Sequence, residues 1–311
     1  MLTNRKSVLL SVATLLTLST SITAQEIGHY LQGAAGLDSG SAPPPGVYFT
    51  YLPYIYFVDS FKGRNGNTLV NADLTITIHN AAITAVTNTK FLGATYGFSF
   101  VTPVVKQRLV NDILPAGSAS NAGVSDIIFE PVMLGWNKSR ADVMFSYGFY
   151  ARTGDFSSDA VSNIGLGFFE NQFQLGSTFH LDQAKTLNAS FLTTWEINQR
   201  KSGEDIKPGE MFTLEYGLGK KFLKGGLNLG ASGYYYRKLT ADTGADIRPI
   251  QRGIHDQALG LGPEVQLTLP IKPPLFAQLI VRYQPQFGVR GRTHGQALII
   301  GFSILDLFLS R

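Results

Sequence analysis

The feature that most restricts this chain is an alternation of apolar and polar residues with a period of two, sustained over long runs. From Leu187 to Ile197, the residues Leu187, Ala189, Phe191, Thr193, Trp195 and Ile197 share one face, while Asn188, Ser190, Thr194 and Glu196 share the other, with Leu192 as the exception. Successive side chains of a strand point to opposite faces, so this is a strand with one greasy and one wet side. The arrangement returns where Phe212, Leu214, Tyr216 and Leu218 oppose Thr213, Glu215, Gly217 and Gly219. It returns again where Leu259, Leu261, Val265, Leu267 and Leu269 oppose Gly262, Glu264, Gln266 and Thr268, and where Leu275, Ala277, Leu279, Val281 and Tyr283 oppose Gln278 and Arg282. A soluble sandwich alternates in the same way, so length carries the decision. Globular strands run about five or six residues, whereas a tilted strand needs about 9 to 11 to cross a bilayer.

Twelve such segments can be read, near 46–60, 70–87, 91–109, 122–137, 140–152, 164–181, 186–199, 209–222, 226–239, 257–269, 274–288 and 295–309. Their connections alternate in kind: those at 88–90, 138–139, 182–185, 223–225 and 270–273 are brief, and those at 61–69, 110–121, 153–163, 200–208, 240–256 and 289–294 are mostly longer and polar. Short turns at one end, long loops at the other and an even strand number are the habit of bacterial outer-membrane barrels. The expected fold is all-β: a transmembrane antiparallel β-barrel of about 12 strands. The second strand is irregular, because Leu74, Ile76 and Ile78 share a face while Ile83 and Ala85 fall on the other, and a bulge near Asn80 would reconcile them.

Four further observations bound the class. Arg5 and Lys6 precede an uncharged stretch that ends in Ser21-Ile22-Thr23-Ala24, the pattern of a secretory signal peptide. The expected division is therefore a signal peptide over 1–24, an N-terminal periplasmic or lumenal segment over 25–45 and a barrel over 46–311. Losing the signal takes two positive charges from a formal net charge of +4, and no basic cluster with interleaved aromatics remains, so nucleic acid is not an expected partner. Cysteine is absent, which excludes disulfides and thiolate metal sites. The best apolar run after the signal, Leu298 to Leu309, is twelve residues long and contains Asp306, too short for a spanning helix.

Charges on the wet faces are Glu130, Glu170, Glu196, Glu215, Glu264 and Arg282. Facing lipid they would be costly, so they are expected to line the lumen. There they either set selectivity or pair with one another and with the N-terminal segment, since charges away from water need partners. Aromatic groups gather at Tyr48, Phe49, Tyr51, Tyr54, Tyr56 and Phe57 and at Tyr234, Tyr235 and Tyr236; alternation turns some of each group inward, where an apolar patch would suit an apolar permeant. Pro103, Pro131, Pro263 and Pro285 fall inside strands and mark bulges, kinks or a lateral opening. Histidines 29, 79, 180, 255 and 294 have no metal-ligand spacing, no phosphate-cradling glycine loop exists, and no metal or cofactor is expected. A barrel-bound lipid hydrolase would need a serine beside a histidine. Ser177 and His180 fall on opposite faces, and neither Ser146 nor Ser190 lies in a nucleophile motif, so no catalytic residue is assigned and the protein is not expected to be an enzyme.

Several short motifs, in order, carry a resemblance: Pro43-Pro44-Pro45-Gly46-Val47-Tyr48, Ser125-Asp126-Ile127, Pro131, Leu134-Gly135-Trp136, Tyr147-Gly148-Phe149-Tyr150-Ala151-Arg152-Thr153-Gly154-Asp155 and Leu259-Gly260-Leu261-Gly262-Pro263-Glu264. Over most of the mature length the chain resembles the outer-membrane channel family of the phenol-degradation meta pathway. It departs from that family at Arg152, where proline is common, and at its end, Phe308-Leu309-Ser310-Arg311, which lacks a terminal aromatic. The resemblance implies a twelve-stranded barrel with the segment before the first strand inside or against the lumen. It also implies passive uptake of small hydrophobic or aromatic molecules. A monomer surrounded by outer-membrane lipid and lipopolysaccharide is expected. The competing expectations are a structural or adhesion barrel with a filled lumen, and the hydrolase.

Overall fold

The computed structural model describes residues 26–110, 118–158, 160, 163–249, 251–272 and 275–305. The signal peptide expected over 1–24 and the terminal Phe308 to Arg311 fall outside the described residues. Thirteen strands follow one another: β1 (Gly46–Lys62), β2 (Thr68–Phe91), β3 (Ala94–Val110), β4 (Ser118–Val124), β5 (Ile127–Asn137), β6 (Ala141–Ala151), β7 (Glu170–His180), β8 (Leu187–Asn198), β9 (Met211–Phe222), β10 (Leu227–Lys238), β11 (Gln257–Lys272), β12 (Leu275–Arg290) and β13 (Thr293–Leu305). All ladders are antiparallel, and β1 pairs with β13 from Phe49 opposite Ile304 to Phe61 opposite Thr293, which closes the sheet on itself. β4 and β5 both lie along β3, one from Val104 opposite Val124 and the other up to Val101 opposite Ile128. They are two halves of one stave, so the barrel has twelve staves.

The alternation that runs through the sequence now has two solvents to explain it. Leu175, Leu218 and Val281 are 51, 54 and 49% exposed on the outer wall, whereas Glu196 and Glu215, on inward positions, are 0 and 1% exposed. An apolar wall of this extent is far larger than the patches soluble monomers show and suits hydrocarbon. Leu192, the exception to the alternation of β8, is buried against Ala42 and Met144.

Four sequence expectations need correction. The stave read as continuous over 122–137 is broken, because Ser125 and Asp126 step out of the ladder between β4 and β5. The strand read from 164 begins only at Glu170. The β12–β13 connection is not a loop over 289–294 but the pair Gly291 and Arg292, because both strands run on and Gly291, at φ +69°, makes the tight turn. Finally, β2 has no bulge at Asn80; its ladders to β1 and β3 pass Leu52 opposite Asn80 and Asn80 opposite Pro103 without a shift, and register changes instead near Val58 and Val86. The pattern changes because the inner wall itself is apolar there: Leu74, Ile76 and Ile78 line an interior cavity, while Ile83 is 56% exposed outside.

Each strand proline sits at a ladder irregularity or beside one. Pro131 falls within the register shifts that β5 shows toward both β3 and β6. Pro263 and Pro285 flank the stretch where β11 and β12 leave their mutual ladder, between Gly260 opposite Gln286 and Glu264 opposite Arg282. At Pro103 the wall is discontinuous: among the described residues β4 pairs with β3 alone, and its other edge meets no strand, because β6 ends at Ala151 and β7 begins at Glu170. The connection between them packs at the break: Gln107 of β3 donates to the Asn163 carbonyl (2.8 Å), Ser125 Oγ donates to the Ile164 carbonyl (2.7 Å), and Ile164 lies against the face of β4 at Gly123.

Candidate functional site

Residues 26–45 form no strand and have a single 3-10 turn, Gly36–Asp38. A segment without regular structure leaves its backbone N–H groups unsatisfied, and buried ones need acceptors. The inward carboxylates supply them. Tyr30 N–H donates to Glu196 (3.0 Å), and the N–H groups of Gly33, Ala35 and Gly36 donate to the two oxygens of Glu215 (2.9, 3.0 and 3.1 Å). Tyr30 OH also donates to Glu215 (2.6 Å), and Leu37 N–H reaches Glu264 (3.2 Å). Arg282 grips Glu264 through Nε and Nη2 (2.7 and 2.8 Å) and donates from Nη1 to the Gly33 carbonyl (2.5 Å). Gly33 and Gly36 have φ of +83° and +72°, and a Cβ on either would strike Gln284 or Arg282, so the chain can lie this close to the wall only as glycine.

The segment runs the length of the barrel. At the long-loop end, Lys201 lies 3.1 Å from Glu26, and Lys238 Nζ donates to the Glu26 carbonyl (2.6 Å). Burial pushes the Glu26 carboxyl up, against the pull of Lys201. At the short-turn end, Ser41 donates to Asp142 (3.0 Å) and Tyr48 OH to the Pro44 carbonyl (2.5 Å). Of the six charges singled out from sequence, Glu170, Glu196, Glu215, Glu264 and Arg282 therefore converge on residues 29–37. Glu130 does not join them; its Oε1 is buried without a hydrogen-bond partner among the described residues.

Between this segment and the wall made by β1, β2 and β3 lies a cavity of about 480 Å³. Its wall side is Leu52, Tyr54, Tyr56, Leu74, Ile76, Ile78, Val101 and Val105, and its inner side is Ile27 to Gln32. It extends to Arg292 at the long-loop end and to Ser125, Asp126, Ile164 and Leu166 at the break beside β4. Arg292 lies over the Tyr236 ring at 4.2 Å and donates to Gln32 (3.4 Å).

Sequence reasoning did not single out His29. Its Nδ1 lies 2.9 Å from Glu170 and its Nε2 2.9 Å from Asp126, with the ring stacked on Tyr150 at 4.6 Å. Burial alone would lower its pKa, but the charge of Glu170 and the hydrogen bonds to both carboxylates outweigh it and raise the value to about 9. Neither the spacing of histidines nor strand periodicity could reveal it. The one available signal was a histidine in a short segment without alternation.

The serines weighed as nucleophiles all bond elsewhere: Ser146 to Gln174 (3.1 Å), Ser177 to the Asp142 carbonyl (2.9 Å) and Ser190 to the Leu37 carbonyl (2.6 Å). Among the described residues no group of three metal-ligating side chains is placed to hold an ion.

The sequence model of the family described as MetA-pathway of phenol degradation (Phenol_MetA_deg) matches residues 58–302. The chain belongs to this family. Among solved structures, an outer membrane channel from Pseudomonas putida F1 superposes with a TM-score of 0.69 at 14% identity, covering 85% of this chain and 97% of that one. The TodX deltaS2S3 mutant monoaromatic hydrocarbon channel aligns more loosely, with a TM-score of 0.47 at 9% identity, covering 90% of this chain and 95% of that one. No curated protein sequence matches. Within the family match lie β2, β3 and the Ser125-Asp126 break that bound the cavity. The segment that forms its inner side lies ahead of the match.

Proposed function

We propose that the protein is a monomeric bacterial outer-membrane channel for passive uptake of small hydrophobic or aromatic molecules, surrounded by lipid and lipopolysaccharide, and not an enzyme. The observation that carries this reading is the cavity: a space of about 480 Å³ with a largely aliphatic and aromatic wall, inside a barrel whose outer wall is also apolar. Its size falls in the range of small-molecule sites, about 300–1,000 Å³. Water gains little from such a wall, whereas an apolar solute does. The route we infer enters past Arg292 and leaves beside β4, where the ladder is interrupted. Glu170, Glu196, Glu215, Glu264 and Arg282 then serve chiefly to hold the segment that shapes the inner wall, and Glu130 lines the lumen below the break.

A second reading, a structural barrel, is favoured by one observation, the hydrogen-bonded filling of the lumen by residues 33–41. Uptake separates the two. Cells carrying the protein should accumulate a labelled aromatic compound faster than cells without it, and Ile76→Trp, which narrows the cavity, should reduce the difference while the barrel keeps its heat-shifted mobility in gels. Equal uptake with and without the protein would leave the structural reading standing alone.

A further inference from the structure

We infer that His29 is the clamp that closes the permeation route on its side: it fastens the inner wall of the cavity to the β6–β7 connection packed at the break between β4 and β5, and its release opens the cavity laterally. The inference rests on the channel reading above and adds to it a residue that sets when the route is open.

The geometry fits a doubly protonated ring. A neutral imidazole has one N–H and one lone pair, yet both nitrogens of His29 stand 2.9 Å from carboxylate oxygens, so a neutral ring would turn a lone pair toward an anion. The ring is enclosed, with Tyr150 stacked on one side and Phe168 edge-on at 4.9 Å. Asp126 is the shared anchor. One of its oxygens accepts from Gly154 N–H (3.0 Å), the other from Leu166 N–H (2.7 Å) and from His29. Both flanks of the β6–β7 connection thus hang on the carboxylate that also holds the N-terminal segment. His29, Asp126, Ile164 and Leu166 all face the cavity, so the clamp sits where the cavity meets the break in the wall.

Below Tyr30 the segment is secured by many backbone bonds to Glu215 and Glu264, and above it by Glu26. Between Glu26 and Tyr30, His29 provides the side-chain tie to the wall among the described residues. Release would therefore free a short stretch without dislodging the rest. The groups facing the ring are Asp126 ahead of β5, Tyr150 on β6, Glu170 on β7, Glu196 on β8 and Tyr30 beside it, with Glu130 of β5 beyond Tyr150. Losing the imidazolium proton leaves these carboxylates without their cation. Because the pKa is raised, the clamp is intact below the ordinary histidine value and is lost as pH rises through about 9.

The test uses the full chain, which lacks cysteine, reconstituted into vesicles. Ile164, 4% exposed and facing the cavity, is replaced in Ile164→Cys, and its reaction with a membrane-soluble maleimide is timed beside entry of a labelled aromatic compound. His29→Gln and Asp126→Asn should each raise both rates near neutrality by about tenfold, the factor carried by one charge-assisted hydrogen bond. In the Ile164→Cys protein with His29 intact, aromatic entry should rise only as pH passes about 9. So should the maleimide rate taken relative to Ile164→Cys with His29→Gln at the same pH, a ratio that removes the rise due to thiolate formation. Aromatic entry in His29→Gln should stay level. Unchanged rates in both variants, or a level profile with His29 intact, would overturn the clamp. Should a variant fail to fold, the pH profile of aromatic entry through the wild type decides alone. Absence of aromatic entry in every sample would count against the channel reading, while the maleimide rate would still decide the clamp.

Discussion

Glu215 accepts hydrogen bonds from three backbone N–H groups and one phenol, with no cation in direct contact among the described residues, so the N-terminal segment is held by a charge whose solvation the segment itself replaces. Glu264 works differently, with the Arg282 guanidinium spanning both its oxygens and with Leu37 N–H and Gln266 Nε2 donating to it as well. That difference predicts different responses to substitution. Arg282→Met removes the counter-ion of a buried carboxylate and should cost on the order of 3–5 kcal/mol, whereas Glu264→Gln with Arg282→Met should cost clearly less, because no charge is left unpaired. Denaturant unfolding in detergent, read by mobility in gels, measures both; a double variant as unstable as the sum of its parts would contradict the pairing. Alternation told which face these side chains take, because face is a local property. It was silent on their partners, since Glu215 meets Tyr30 across 185 positions of sequence. For the same reason Arg292, in a two-residue turn, and His29 were not legible as members of a site.

At the scale of elements, the strands were legible wherever one face met lipid and the other met polar groups. β8, β9 and β11 satisfy both conditions, and their periodicity reads cleanly. β2 fails the second condition along Leu74 to Ile78, where the inner face borders the cavity, so its polarity pattern breaks although its backbone ladder does not. The irregular strand was in this sense the most informative one. The β4–β5 break was legible only as a motif, Ser125-Asp126, because two unpaired residues scarcely disturb a period of two. Turns add an independent, testable demand. Leu223 and Lys224 both adopt the left-handed conformation, at φ of 50° and 55°, in the β9–β10 connection. Side chains there cost roughly 1–2 kcal/mol per residue relative to glycine's freedom. Lys224→Gly should therefore raise the unfolding midpoint, corresponding to about 1 kcal/mol. A lowered midpoint would show that the turn is held by something other than its own backbone.

For the molecule as a whole, the lumen is divided between a filled part and an apolar cavity, and the filling is a separable stretch of chain. The wall is closed by strand pairing that does not involve residues 26–45, since the β1–β13 ladder begins at Phe49. Deleting 26–45 should thus leave a barrel with its lumen open. Of the six charges singled out from the sequence, five are carboxylates, Glu130, Glu170, Glu196, Glu215 and Glu264, and one is the Arg282 guanidinium, while the further buried cations Lys238 and Arg292 both face Asp256. Opened to water, the carboxylates lose the backbone donors of the segment and recruit mobile cations instead, since rings of acidic side chains select cations. The full-length protein should pass little ionic current, because its open space is apolar and its polar groups are occupied by the segment. The shortened protein should show large single-channel currents, with a reversal potential under a salt gradient displaced toward the cation value. Raising salt should shrink that displacement, as fixed charges are screened over about 10 Å at 0.1 M. Large currents from the full-length protein, or anion preference in the shortened one, would mean that the segment is neither the filling of the lumen nor the partner of its carboxylates.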